Sequence, residues 1–112
     1  MARQISISTV TIANAASIST GLSMDAERIP LAIITPAALT TTSLSFQASD
    51  DGGNTWRPIY NEGTQYTITT VVNESRHHAL ARQPFEAVNL VRIVSGSTEG
   101  AQRSIKIVSG IP

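Results

Sequence analysis

Apolar and polar positions alternate with a spacing of two along most of this chain, and no stretch holds a helical period. Ile5 and Ile7 share one parity, whereas Val10 and Ile12 fall on the other. A regular strand buries one face, so the change predicts a bulge or bend near Thr9, or a strand that passes between sheets there. Ile18, Thr20 and Leu22 make a second short alternating segment. Asp25-Ala26-Glu27-Arg28 reads as a polar connection. Ile29-Pro30 then leads into the strand Leu31-Ala32-Ile33-Ile34, which Pro36 ends because proline has no N–H for a ladder. Ala37 to Thr40 predicts one helical turn or an open loop.

Leu44-Ser45-Phe46-Gln47-Ala48 alternates again before a turn-rich segment. Past that turn, Arg57, Pro58, Ile59 and Tyr60 precede the turn Asn61-Glu62-Gly63. Tyr66, Ile68, Thr70 and Val72 share one parity and predict a strand. Residues 73–83 are polar and poorly patterned, which predicts a loop. Pro84 and Phe85 open the next unit, with Phe85 as a core anchor. Val88, Leu90, Val91, Ile93 and Val94 are the most continuously apolar run and predict a central strand covered on both faces. After a loop at 95–100, Ile105 and Ile107 mark the last strand, with Lys106 facing water. About eight short strands between regular turn signals predict an all-β, single-domain β-sandwich or jelly roll spanning 1–112. Residues 1–12 are a candidate edge strand or arm that pairs with a neighbour.

Composition narrows the function. Charged residues are 14% of the 112, against roughly a quarter in ordinary globular chains, and Ser and Thr fill the gap. The formal net charge is zero and no basic block occurs, so a nucleic-acid surface is not expected. Near-zero charge favours self-association instead. There is no cysteine, which excludes disulfides and thiolate metal sites. No apolar run approaches the roughly 20 residues of a membrane-spanning helix, and no membrane partner is expected. Ala13-Asn14-Ala15 has the small residues of a cleavage site, but the segment before it alternates with hydroxyls and reads as a strand.

The densest motif is Ser49-Asp50-Asp51-Gly52-Gly53-Asn54-Thr55-Trp56, which fits the Asp-box pattern Ser-x-Asp-x-Gly-x-Thr-Trp at every fixed position. Asp51 is placed to accept backbone N–H groups, Gly52 and Gly53 to take positive φ, and Trp56 to fold back as a lid. Ser49, Asp51, Gly53, Thr55 and Trp56 thus predict a structural turn. The motif occurs once, in a chain too short for a propeller, which excludes a complete sialidase-type enzyme. Glycosidase chemistry needs facing carboxylates roughly 5–9.5 Å apart, and nothing in the sequence pairs any. No nucleophile elbow and no phosphate loop is present. His77 and His78 are neighbours that point to opposite faces of an extended chain and make a poor metal pair. Asp50, Asp51 and Asn54 lack the ligand spacing of a calcium loop. The expectation is no enzyme, no catalytic or metal residue, and no cofactor. Trp56, Tyr60 and Tyr66 are candidate glycan contacts, set against a reading in which Trp56 closes the turn and both tyrosines pack with hydroxyls in water. Arg92 interrupts an apolar strand, and is a candidate interface residue together with Gln4, Ile5, Ile7, Val10 and Ile12.

Several segments taken together resemble a family of small structural proteins of tailed-phage virions. They are Val10 to Ser19, Leu31 to Ala38, Leu44 to Ser49 with Asp51-Gly52-Gly53, Val91 to Gly96, and Gln102-Arg103 before Ser104 to Val108. The chain departs from that family at Leu39, where a tryptophan is usual, and in the short loop before Gln102. The resemblance implies a β-sandwich subunit of a phage particle with no catalytic residues. The functional expectation is a virion protein, assembled in the host cytoplasm, that decorates or cements the capsid. Its partners would be the major capsid protein and itself, as a trimer or other symmetric homo-oligomer. A carbohydrate-binding module on a tail or head fibre, or a tail or baseplate component, is the alternative.

Overall fold

The computed structural model describes residues 5–24, 28–71 and 73–110. Among them the strands are β1 (Ile5–Ile12), β2 (Leu22–Ser23), β3 (Ile29–Thr35), β4 (Ser43–Ser49), β5 (Arg57–Pro58), β6 (Tyr60–Asn61), β7 (Thr64–Gln65), β8 (Thr67–Thr69), β9 (Arg76–Ala79), β10 (Leu90–Ser95) and β11 (Arg103–Gly110), with a 3-10 turn at Gln83–Phe85. One antiparallel sheet runs β1-β11-β3-β9. The other runs β2-β10-β4, and both β5 and β8 pair with β4 along its far side. If β5 to β8 are counted as one arm, the chain has eight arms, ordered 1-8-3-6 in one sheet and 2-7-4-5 in the other. That interleaving defines a jelly roll.

The core lies between the sheets. Val10, Ile12, Ile33, Ile105 and Ile107 enter it from one side, and Leu44, Phe46, Val91 and Ile93 from the other. Phe85 meets Phe46 edge-on at 5.1 Å and Tyr66 edge-on at 5.5 Å, closing one end of the core with three rings. Leu39 is buried in a turn without helix, so the alternative of an open loop holds at 37–40.

Three expectations need correction. First, β1 has no bulge at Thr9, and pairs with β11 in unbroken register from Ile5 opposite Gly110 to Ile12 opposite Arg103. The parity change is resolved differently: Val10 and Ile12 point into the core, and Ile5 and Ile7 point out and stay 52% and 59% exposed. The irregularity is on β3, where Ala32 faces Val108 but Pro30 faces Ser109, leaving Leu31 as the extra residue beside a proline that cannot donate. Second, residues 73–83 are not all loop, because Arg76–Ala79 form β9 on β3. Third, β10 is central, but its outer residues Leu90, Arg92 and Val94 are only half-buried. Val72, Gln4 and the connection 25–27 lie outside the described residues.

Candidate functional site

The 49–56 segment joins β4 to β5 and is held from inside. Asp51 Oδ1 accepts hydrogen bonds from Ser49 Oγ at 2.8 Å and from the Thr55 N–H at 2.9 Å. Ser49 Oγ in turn accepts the Gly53 N–H at 2.9 Å, and Gly52 and Gly53 have φ of 76° and 94°. The Thr55 N–H and the Ser49 hydroxyl hold the Asp51 carboxyl down to about 2 from 3.8. Trp56 folds back and donates from Nε1 to the Gly53 carbonyl at 3.0 Å. Its ring edge abuts Gly21, where an added Cβ would lie 3.1 Å from the ring.

Trp56 also meets Arg92. The guanidinium lies 4.3 Å from the ring centroid, and Nε donates to Gln47 Oε1 at 2.7 Å. Arg92 therefore escapes its apolar strand by stacking on the outer face of the sheet. Partial burial lowers its pKa from the ordinary guanidinium value.

The three aromatic candidates do not form a platform. Tyr60 sits opposite Gln65, so Tyr66, the next residue, points to the other side of the hairpin. Tyr66 packs against Phe46 and Phe85, and its hydroxyl oxygen accepts the Ala81 N–H at 2.9 Å instead of facing only water. Tyr60 alone is well exposed, at 58%. Surface depressions beside Asp50 and Arg57, and beside Ser75 and Lys106, measure about 190 and 210 Å³. Both fall below the roughly 300–1,000 Å³ typical of small-molecule sites.

Among the described residues, no group of three or more His, Cys, Asp or Glu side chains is placed to hold a metal. His77 lies opposite Ile34 and is exposed, whereas His78 lies opposite the buried Ile33. Burial, and then the charges of Arg76 and His77, lower the His78 pKa, and its Nε2 is buried without a hydrogen-bond partner among the described residues.

A polar centre in the loop before β11 escaped the sequence reading. The Glu99 side chain is wholly buried. Its Oε1 accepts the Thr40 N–H at 2.9 Å and Arg103 Nε at 3.0 Å, and its Oε2 accepts Ser95 Oγ at 2.7 Å. Burial pushes this carboxyl up, but the Thr40 N–H, the Ser95 hydroxyl and Arg103 together outweigh it, leaving Glu99 below its ordinary value. Its main chain also holds the 15–16 turn: Glu99 N–H donates to Ala16 O, and Ala15 N–H to Glu99 O, both at 2.9 Å. Every oxygen is taken, so the cluster is a clamp on the loops and not a reactive group. Glu99 and Arg103, four residues apart around Gly100, were the visible signal.

The interface candidates divide. Val10 and Ile12 are core residues, 1% and 0% exposed, and are not available to a partner. Ile5 and Ile7 are surface residues on β1, an outer strand of its sheet. At the far end of β1, Thr20 N–H donates to Thr11 O at 2.9 Å, and Thr11 N–H donates to Thr20 Oγ1 at 3.1 Å. Thr11 thus turns its main-chain groups away from β11, and by the two-residue period so do Thr9, Ile7 and Ile5. Among the described residues, nothing pairs with those three.

The other outer strands are blunted. β2 has two residues, β8 has three, β5 carries Pro58 and an Arg57 paired with Asp50 at 3.7 Å, and β9 has four residues that include Arg76 and two histidines. β1 has eight residues with no charge and no proline. It is the one long, regular, uncharged edge among the described strands.

Among the described residues, the candidate site is thus an open strand edge on an all-β sandwich. No family model matches the chain, and no curated protein matches it. Similar solved structures include a protein of the Bacillus endospore appendages, described as a novel family of disulfide-linked pili. It is 16% identical, over 99% of this chain and 91% of that one, with a TM-score of 0.40. Another is the Yersinia pseudotuberculosis-derived mitogen, 10% identical over 99% and 88%, with a TM-score of 0.38.

Proposed function

We propose that this protein is a non-enzymatic assembly subunit that joins its neighbours by strand addition along β1. The observation that carries the reading is the contrast among edges: four are short, charged or proline-bearing, and β1 is none of these. An edge left open costs a risk of aggregation, and natural sheets blunt it unless it is used. The sequence resemblance supplies the setting, a tailed-phage particle on which the chain decorates or cements the capsid beside the major capsid protein.

Removing residues 1–12 would take Val10 and Ile12 out of the core and confound binding with folding. Ile7→Pro is better. It deletes an N–H that faces away from β11 and leaves the β1–β11 ladder its donors. The variant should melt close to the parent yet no longer co-sediment with phage particles from the source strain. Immunogold labelling should place the parent on the heads. Particle occupancy unchanged by Ile7→Pro sinks the strand-addition reading, and label absent from heads sinks the capsid setting.

A further inference from the structure

We infer that the first occupant of the β1 edge is the β1 strand of a second copy, related by a two-fold axis at Ile7; this rests on the strand-addition reading above. Among the described residues, the free main-chain groups belong to Ile5, Ile7 and Thr9, three residues spaced evenly around Ile7. Antiparallel pairing centred there places Ile5 against the copy's Thr9, Ile7 against the copy's Ile7, and Thr9 against the copy's Ile5. Each of those pairs exchanges two N–H···O bonds, so every open group on one edge meets one on the other.

Shifting the register breaks this match. A slide in one direction brings Thr11 into the pairing, and both its groups are already held by Thr20. A slide in the other leaves Thr9 opposite no described residue of the copy. The Thr11–Thr20 bonds therefore act as a stop on one side, and the described edge pairs most fully when centred at Ile7.

Symmetry and charge favour the same occupant. Head-to-tail growth by strand addition needs two open edges on each chain, and the opposite edge of this sheet, β9, is short and carries Arg76, His77 and His78. With one open edge among the described strands, the self-complementary two-fold contact is the arrangement that closes. Like meets like without repulsion, because β1 is uncharged and the chain has zero formal net charge. Pairing would also bring the exposed Ile5 and Ile7 of both copies onto one continuous outer face, where cross-strand apolar contacts form.

The chain lacks cysteine, so a single introduced thiol reports the register cleanly. In a hydrogen-bonded antiparallel pair the facing Cα atoms are about 5.5 Å apart, within disulfide range. Ile7→Cys should therefore oxidise to a covalent dimer, whereas Ile18→Cys, exposed on the other sheet, should not. By sedimentation equilibrium the parent should dimerise, with Ile7→Pro and Ile7→Lys weakening the dimer at least about 100-fold. Ile7→Lys leaves every backbone donor in place, and so covers the case in which the proline variant misfolds.

A monomeric parent, or equal crosslinking at positions 7 and 18, overturns the inference. If the parent is monomeric and Ile7→Pro still loses the particle, strand addition stands and another chain supplies the strand. If neither Ile7 variant changes dimer or particle binding, the proposed function falls too.

Discussion

Glu99→Gln isolates the contribution of one buried charge. The substitution keeps the shape of the side chain. Its carbonyl oxygen can still accept Thr40 N–H and Arg103 Nε, and Ser95 Oγ can still donate to Ser97 O at 2.6 Å. What disappears is the negative charge behind three hydrogen bonds. A bond to a charged group contributes about 1.5–3 kcal/mol against about 0.5–1.5 for a neutral one, so the loss is about 1 kcal/mol per bond, or about 3 kcal/mol in all. Arg103, left without its carboxylate, is 16% exposed and recovers part of this from water. The expected destabilisation is thus about 2–3 kcal/mol, a drop of about 8–12 °C in Tm for a chain of this size. Glu99→Ala, which abandons all three donors, should cost about 3–5 kcal/mol.

Acidity supplies a second readout. The folded-state pKa of Glu99 lies below its ordinary value of 4.5, so the charged form is the one the fold stabilises. That stabilisation is complete above the ordinary value and vanishes as pH falls through the lower folded value. The gap in Tm between parent and Glu99→Gln should therefore be widest near neutrality and narrow on acidification. Asp51 titrates in both proteins and cancels from the comparison. Calorimetry from pH 7 to pH 3 tests this. A Glu99→Gln variant that melts within about 2 °C of the parent at pH 7 would refute the reasoning, as would a gap that does not change with pH.

Two further outcomes are expected. The Asp51 carboxyl, followed by NMR, should titrate near 2, and Asp51→Ala should lower the Tm near neutrality, with the difference fading as pH drops towards that value; titration near 4 would show that the Ser49 and Thr55 bonds do not persist in solution. Glu62→Asn should raise the Tm by about 2–4 °C, because Glu62 has φ of 53° before Gly63 at 83°, and Asn-Gly suits this two-residue turn better; an unchanged or lower Tm would show that the left-handed backbone carries no strain.

Where local chemistry decides structure, it could be read directly. The turn at 49–56 is closed by side chains within a few residues of one another, so its residues announced it. Phe85 and the alternation of β4 were equally plain. The misreadings share a cause, since each depended on a partner far along the chain. The parity change in β1 looked like a bulge because both apolar pairs, Ile5 with Ile7 and Val10 with Ile12, were assumed to seek the core. Nothing local says that one face of that strand stays in solvent. β9 was missed because an edge strand beside β3 can carry Arg76, His77 and His78, and polar residues hide a strand's period. Glu99 looked like a loop acid because its donors come from Thr40, Ser95 and Arg103, and Thr40 lies 59 residues away.

The position of β11 has a consequence for synthesis. It lies inside its sheet, between β1 and β3, and its residues are 103–110. On a ribosome, β1 emerges before β11 and waits through every strand between them, its inner edge not yet paired. The β4–β5 hairpin closes locally, but the sheet that carries the open edge cannot form until β11 is delivered. The segment Ile-Ser-Ile-Ser-Thr-Val-Thr-Ile therefore spends its first moments as a free, uncharged β-former, a hazard on polysomes carrying many nascent copies.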